Sequence, residues 1–497
     1  MSRPPKKKST KSFTQRASSW MQAHPYWASY LIGFAYFAGV ISWMFTIKTA
    51  EIAQGIAIKL VALASGIIMV SSLALGFVIF VWLARQLRIK LSESRAVWQL
   101  PMLWVVSEYA RAVIFSVISL GPDGRIGPYW TFGDLGYYLA GTPLAFMARF
   151  GGLYLLSAVV IALAVAGYQS WHRRSWLPIT PLVGGLAILS LIGWTLYLPA
   201  NGQSITVGAV NYPTKDTPTT NSSDTYPIFA NMPGRSLDTL VLPEYSHYYE
   251  DNMASDKLLI QSLMKYDDGL VIHSAREGGE GLGHNMLTFQ TAGGEVLNQQ
   301  KKWFVIPAGE YVPYLYQVIL AYAGQERLLM NFNAQKSVNR GEEIEQPYTY
   351  KGIRYGAHAC SGVIAPDFYN QLAMQGADIF TNSAALDTMG ISPLFHLEGE
   401  QMNRLAAVAH AKPFVQSAKG GPAYIIDKDG RRLAKTYTPN GGVVMADVQT
   451  NQTKTLYGWL GDWIVYVSIV GTAYLFIRQF LTRQRRPVSK SGKNPRR

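Results

Sequence analysis

Apolar residues gather in six long runs. Five lie in the first 200 positions (Trp27–Phe45, Ile56–Ala84, Val97–Ser119, Leu144–Tyr168 and Ile179–Leu198), and Trp463–Phe480 lies near the end. Each is close to the ~20 residues a helix needs to cross a ~30 Å hydrocarbon layer, so the pattern predicts six membrane helices. One such run is often a buried helix of a soluble protein, but six on one chain make that reading poor. From Asn201 to Thr455 the pattern changes to short strand-like runs broken by polar turns. Strands are expected at Ile205–Val210, Thr239–Leu242, Gly269–His273, Asn285–Phe289, Trp303–Val305, Tyr355–Ala359, Asp378–Thr381, Ala423–Ile426 and Val443–Val448. Helices are expected at Met253–Lys265, Pro366–Gln375 and Glu400–Lys412, with a hairpin turn at Lys428-Asp429-Gly430 and a polar loop at Thr214–Ser223. Strands interleaved with helices predict a layered α/β domain with two sheets back to back.

The pattern divides the chain into a basic tail (1–26), a five-helix membrane region (27–200), an α/β domain (201–455), a connector with a last membrane helix (456–480) and a second basic tail (481–497). Composition agrees: 49% of residues are hydrophobic and only 15% charged, too apolar for a soluble protein of 497 residues. The net charge of +14 sits in particular loops. Met1–Arg16 holds six Lys or Arg and no acid, Arg85–Arg95 and Trp171–Arg174 are net basic, and Arg478–Arg497 holds eight Lys or Arg and no acid. Lys48–Glu51 is balanced, and Gly121–Gly141 has two Asp against one Arg. This alternation predicts both termini in the cytoplasm and the α/β domain on the outer face. Basic runs beside membrane helices and without interleaved aromatics suit anionic lipid, not nucleic acid. Within the third run, Glu108 and Arg111 stand three apart, placed either to neutralise each other or to sit near the inner interface, as a structural pair and not a catalytic one. The Trp-, Tyr- and Gly-rich stretch Gly121–Gly141 suits the headgroup zone, as a plain interfacial belt or as the lining of a mouth for lipid.

Cys360 is the only cysteine, so no internal disulfide forms. It stands between a strand-like run and a helix-like one, the arrangement that lifts a nucleophile above a sheet edge. A lone cysteine is by itself more often a small buried apolar residue. Two landmarks upstream change the weighing: Glu244 in TLVLPEYS and Lys302 in QQKKWFVIPAGEYVP, each beside a strand-like run. A carboxylate to take the thiol proton, an ammonium to favour thiolate and oxyanion, and a thiol are the parts of acyl transfer. Tyr245 and Asn285 are candidates for the pocket wall. His358, two residues before Cys360 on the same strand face, is expected only to pack beside it. The other histidines show no metal-ligand spacing, and the glycine pairs form no phosphate loop, so no metal or cofactor is expected.

The chain resembles the bacterial apolipoprotein N-acyltransferase family, a membrane-bound branch of the nitrilase-like carbon–nitrogen hydrolase superfamily. The resemblance rests on GFAYFAGVISWMF, WVVSEYARAVIF and LGYYLAGTPLAFMARFGGLYLLS in the membrane region. In the outer domain it rests on LVLPE, GHNMLTFQTAGGEVLNQQKKWFVIPAGEYVP, NRLAAVAHAKPFVQSAKGG and GGVVMADV…YGWLGDW. It implies a four-layer αββα sandwich on the outer face of a polytopic helical bundle in the bacterial inner membrane. It implies Glu244, Lys302 and Cys360 as catalytic residues, with Glu310 in support. It also implies transfer of an acyl chain from a phospholipid, through a Cys360 thioester, to the N-terminal amine of a diacylglyceryl-modified apolipoprotein.

Three features depart from the family pattern. Its Cys-Tyr-Glu-like triplet is Cys360-Ser361-Gly362 here, so a carboxylate is missing. Its Asn-Asp-x-Trp-like segment is Asn382-Ser383-Ala384-Ala385 here, so a pocket aromatic is missing. Six spans stand where the family usually has about eight. A membrane-tethered amidase with water or another amine as acceptor would use the same three residues. A scaffold that has lost activity would not need Cys360 at all.

Overall fold

The structure is a computed structural model and describes residues 19–47, 56–90, 95–213, 228–229, 232, 234–245, 254–277, 283–335, 337–389 and 392–484. Both basic ends, Lys48–Glu51, the polar loop 214–223, Met253 and His247 lie outside the described residues.

The apolar runs form helices Pro25–Val40, Ile56–Gln86, Leu100–Ile118, Ala148–Arg173, Thr180–Thr195 and Trp463–Gln484. Among the described residues, four segments are long and apolar enough to cross a membrane: Ile58–Gln86, Ala96–Ile118, Pro143–Arg173 and Trp463–Thr482. The other two of the six expected spans are shorter than the runs suggested. Each is a 16-residue helix, about 24 Å long at 1.5 Å per residue. Pro25–Val40 stops because the chain tightens into a 3₁₀ turn at Ser42–Thr46. Helix Ala148–Arg173 kinks at Gly151–Gly152, where Gly152 has φ +63°; a Cβ there would overlap the Tyr457 ring.

The remaining chain forms strands β1 (Ser204–Tyr212), β2 (Thr239–Glu244), β3 (Leu270–Arg276), β4 (Gly283–Thr291), β5 (Val296–Lys301), β6 (Val338–Asn339), β7 (Tyr348–Tyr350), β8 (Ile353–Ala359), β9 (Ile379–Ala385), β10 (Phe414–Lys419), β11 (Ala423–Ile426), β12 (Arg432–Thr436) and β13 (Gly442–Gln449). One half runs β5-β4-β3-β2-β1 and ends on β13; the other runs β7-β8-β9-β10-β11-β12. The halves join at one corner, where Asn211 and Tyr212 of β1 pair with Ala418 and Lys419 of β10. Elsewhere they stack face to face over a core that includes Ile205, Val207, Ile272 and Phe289 from one half and Tyr355, Ile379, Val415 and Ile425 from the other. Helix Ala254–Leu263 covers the first half through Ile260 and Leu263. Helices Pro366–Met374 and Pro393–His410 cover the second through Phe368, Leu372, Met402 and Leu405. The domain is therefore a four-layer αββα sandwich beside a bundle of membrane helices.

The second helical layer does not end at the sandwich. Its core continues without a break into Phe37, Trp43, Phe115, Phe132 and Leu156 of the membrane region. Arg149, fully buried at the start of its membrane helix, fastens the same seam. It donates to the carbonyls of Val408 at 3.2 Å, Gly193 at 3.0 Å and Lys428 at 3.0 Å, and pairs with Asp429 at 2.5 Å.

Local expectations fail in three places. Trp303–Val305 is not a strand: after Lys302 donates the last ladder bond to Asn285 O at 2.8 Å, the chain leaves the sheet and buries Trp303 and Phe304 against the second helical layer. The helix placed at Glu400 begins at Pro393, capped by Ser392 Oγ, which accepts from the Phe395 amide at 3.4 Å. Arg111 makes its ion pair with a residue other than Glu108. It pairs with Asp134 and donates to Phe132 O at 3.0 Å, while Glu108 accepts the Leu135 amide at 3.0 Å. The helical hairpin Tyr314–Tyr322 and Glu326–Gln335 was not foreseen. It rests on the first long membrane helix, with Tyr316 Oη donating to Ser65 O at 3.5 Å, and it exposes Leu315, Val318, Ile319 and Tyr322.

Candidate active site

Three strand ends converge here: β2 and β8 are buried along almost their whole length, and β5 is largely exposed up to the point where Lys302 turns inward. Strand β2 ends at Glu244, and the chain turns at once, with Tyr245 at φ +57°. Strand β5 ends one residue before Lys302. Strand β8 ends at Ala359, and Cys360 has φ +55°. A left-handed backbone is disfavoured for a residue with a side chain, by about 1–2 kcal/mol. Its surroundings hold it there. Asn382 Nδ2 donates to Cys360 O at 3.4 Å, Ser361 Oγ to Phe304 O at 2.7 Å, and the Gly362 amide to His358 Nδ1 at 3.0 Å. The Cys360 Sγ points to Ala385 O at 3.5 Å.

The two carboxylates meet one ammonium. Lys302 Nζ lies 3.3 Å from Glu244 Oε1 and 2.6 Å from Glu310 Oε1. Glu310 Oε2 accepts the Ile306 amide at 3.0 Å, which closes the Pro-x-Gly-Glu loop around Ala308 at φ +60°. Asn285 Nδ2 donates to Glu244 Oε1 and lies 3.3 Å from Tyr245 Oη. Glu244 is 2% and Lys302 3% exposed, so bulk water does little for either charge and the pairing must.

Burial pushes the Glu244 carboxyl up; Lys302 and Asn285 pull it back without restoring the usual carboxylate range. Burial alone would lower the Lys302 ammonium, but Glu244, Glu310 and Cys360 together hold it well above the usual lysine value. Burial, then Glu244 and Glu310, push the Cys360 thiol up against the pull of Lys302. The resting site is thus a protonated thiol beside a fixed cation and a carboxylate whose basicity is raised. A thiol in that state needs a base before it can act as a nucleophile, and the Glu244 carboxylate is one acting on it here.

All the residues expected from sequence, Glu244, Tyr245, Asn285, Lys302, Glu310 and Cys360, lie in this one site. The supporting turn was less visible. Asn382, Ser361 and the Ala385 carbonyl hold it through backbone atoms that no motif marks. His358 does more than pack. Burial and Lys302 keep its imidazole well below the usual histidine range, so the ring is neutral and accepts the Gly362 amide. A Cβ on Gly362 would overlap that ring, so glycine at 362 and histidine at 358 fit as a pair. This is the physical counterpart of the missing carboxylate in the Cys-Ser-Gly triplet.

Known proteins resemble both parts of the chain. A family profile described as "Apolipoprotein N-acyltransferase N-terminal domain" matches residues 12–166, and one described as "Carbon-nitrogen hydrolase" matches residues 237–457. The apolipoprotein N-acyltransferase of Vibrio vulnificus (strain CMCP6) is 22% identical over 459 residues, covering 89% of this chain and 86% of the relative. That of Geobacter metallireducens is 25% identical over 475 residues, covering 89% and 85%. Among solved structures, a carbon–nitrogen hydrolase from Helicobacter pylori G27 aligns with a TM-score of 0.36 and 16% identity, covering 57% of this chain and 95% of that one. With both profiles matched in order and relatives aligned along most of its length, the chain belongs to the apolipoprotein N-acyltransferase family, and it is a membrane-bound acyltransferase with a carbon–nitrogen hydrolase domain.

Proposed function

We propose that Cys360 takes an acyl chain from a phospholipid as a thioester and that the chain then passes to the N-terminal amine of a diacylglyceryl-cysteine lipoprotein. Glu244 accepts the thiol proton as sulfur attacks the ester carbonyl. The Lys302 ammonium meets the oxyanion that forms. Collapse expels the lysophospholipid alkoxide, which takes the proton back from Glu244. In the second half the amine attacks the thioester, Glu244 receives the amine proton, and the departing thiolate recovers it. Glu310 holds Lys302 in place through the 2.6 Å contact.

The observation that carries this reading is the burial of Lys302 between two carboxylates at the foot of a thiol held in a left-handed turn. The shared core of sandwich and membrane helices and the exposed apolar hairpin at Tyr314–Tyr322 support a lipid-fed site. The charged loops favour both termini in the cytoplasm and residues 201–455 on the periplasmic side as the catalytic unit.

Intact-mass analysis of the detergent-purified protein given phospholipid tests the reading. An added acyl mass is expected on the wild type, lost in Cys360→Ser and removed by hydroxylamine. A wild-type mass that stays unmodified while the thiol titrates as free would defeat it.

A further inference from the structure

Around Trp303, two arginines outside the site just described have no ion-paired acid among the described residues. Arg125 lies in the loop that follows the membrane helix Leu100–Ile118 and lays its guanidinium over the Trp303 ring, 4.3 Å from the centroid. Trp303 directly follows Lys302 in the chain and stacks on Phe368, which packs edge-on against His358 of the nucleophile turn. Arg340 comes to the same place from the other side. Its amide donates to Asp123 Oδ1 at 3.2 Å, and the next amide, of Gly341, donates to Lys302 O at 2.8 Å. Tyr129 stands edge-on to Trp303 in the same cluster.

Two like charges placed together are costly unless something negative joins them. Among the described residues no carboxylate oxygen lies within ion-pair distance of either guanidinium. Nη1 of Arg125 is buried and has no hydrogen-bond partner there. Burial, then the nearby Arg340, lower the Arg125 guanidinium against a smaller opposing pull from Tyr129 and Asp367. The position selects the ligand. Arg125 stands just past the end of a membrane-length helix, at headgroup height, and its neighbour Ile126 is exposed as a residue facing lipid is. A phosphodiester offers anionic oxygens to planar guanidinium forks at that depth.

We propose that Arg125 and Arg340 bind the phosphate of the acyl-donor phospholipid and so set its ester carbonyl over Cys360. This rests on the thioester reading above. It makes the two arginines binding residues for the first half-reaction only, since the acyl group has left the phosphate before the amine arrives.

The test uses the full-length protein in detergent and follows single-turnover acylation of Cys360 by intact mass. The donors are phosphatidylglycerol and a phosphate-free ester, p-nitrophenyl butyrate. With Arg125→Gln and Arg340→Gln combined, the phospholipid concentration for half-maximal acylation should rise roughly 10- to 100-fold, as expected for losing charged hydrogen bonds. Acylation by the nitrophenyl ester, and release of a preformed acyl group to an amine, should stay within about two-fold. The corresponding Arg→Lys changes should recover part of the loss, because they keep the charge but not the fork. Millimolar inorganic phosphate should leave wild-type acylation unchanged; strong competition would make this a free-anion site and overturn the lipid assignment. An unchanged phospholipid dependence in the double variant would overturn the subsite and leave the thioester standing. Equal losses with both donors would show that the arginines serve only the fold, and would overturn it too. No adduct on the wild type from either donor would remove the thioester reading and the subsite with it.

Discussion

The two halves of the sandwich are built alike but covered differently. The half holding Glu244 and Lys302 is capped by helix Ala254–Leu263 over a small core of its own. The half holding Cys360 is capped by helices whose core runs on into the membrane bundle. Glu244 and Lys302 therefore stand on a half with a helical cover of its own, while Cys360 stands on a half whose cover is continuous with the membrane helices. The arrangement teaches how a hydrolase-type domain is put to work on lipid. On the proposed mechanism, the Cys360 sulfur is carried by the part joined to the membrane helices, and the Glu244–Lys302 pair is brought to it across the sheet interface.

The comparison breaks most completely if the free half loses its charges. Glu244→Gln and Lys302→Met should each lower the acylation rate by about 10²–10⁴-fold, the range for a lost general base or oxyanion partner, read as single-turnover adduct formation. The wild-type rate should also depend on pH in a fixed sense. Because burial holds Glu244 above the usual carboxylate range, it is protonated and inactive as a base at acid pH, and the rate rises as pH climbs through its raised pKa. Lys302 stays charged throughout that climb, since its ammonium is held above the usual lysine value. Glu244→Gln should abolish the acid limb; an unchanged limb would assign it to another group.

On the sealed half, Gly362→Glu should drive a side chain into the His358 ring, at about 1–3 kcal/mol of overpacking, and sharply slow acylation. His358→Ala added to Gly362→Glu should recover part of the rate, because it empties the space. If the double variant is no better than the single one, the two positions do not share that space.

The seam itself predicts a smaller effect on chemistry and a clear one on stability. Arg149→Met leaves four backbone carbonyls without their donor, while Asp429 keeps Lys428 at 3.0 Å. It should cost about 1–3 kcal/mol, as for buried acceptors left unpaired, seen as a lower Tm of the detergent-solubilised protein. The smallest effect belongs to Glu398, whose Oε1 accepts the Gly133 amide at 2.7 Å from the membrane-side loop. Burial raises its carboxyl to about 8. Raised above its unfolded value, this acid favours the fold at low pH, and that contribution falls as pH rises from about 4.5 toward 8. Glu398→Gln should flatten the decline of Tm over that range.

Much of this is legible in the chain itself. Strand β2 is buried on both faces, so TLVLPE reads as a continuous apolar run ending in an acid. Strand β8 leads straight into the lone cysteine, and Pro-x-Gly-Glu marks the loop that returns Glu310 to Lys302. What escaped the sequence depends on distant partners. The i,i+3 spacing of Glu108 and Arg111 suggested a pair, but Arg111 is taken by Asp134, 23 residues on. Trp303–Val305 has strand composition yet leaves the ladder to serve the second helical layer. The hairpin after Pro313 carries an apolar face that packs against another part of the chain only in part, so its pattern had no sheet or core to point to. His358 and Gly362 become a pair only once a turn has folded one over the other.

The sealed half also bears on the acceptor, and one measurement addresses that most directly. Cys360 would be loaded with a labelled acyl chain, freed of donor, and given a peptide ending in diacylglyceryl-cysteine. The label should leave the thiol and appear as an amide on the peptide terminus, faster than it is lost to water. Release as free fatty acid at the same rate with and without the peptide would contradict it and make the protein a hydrolase.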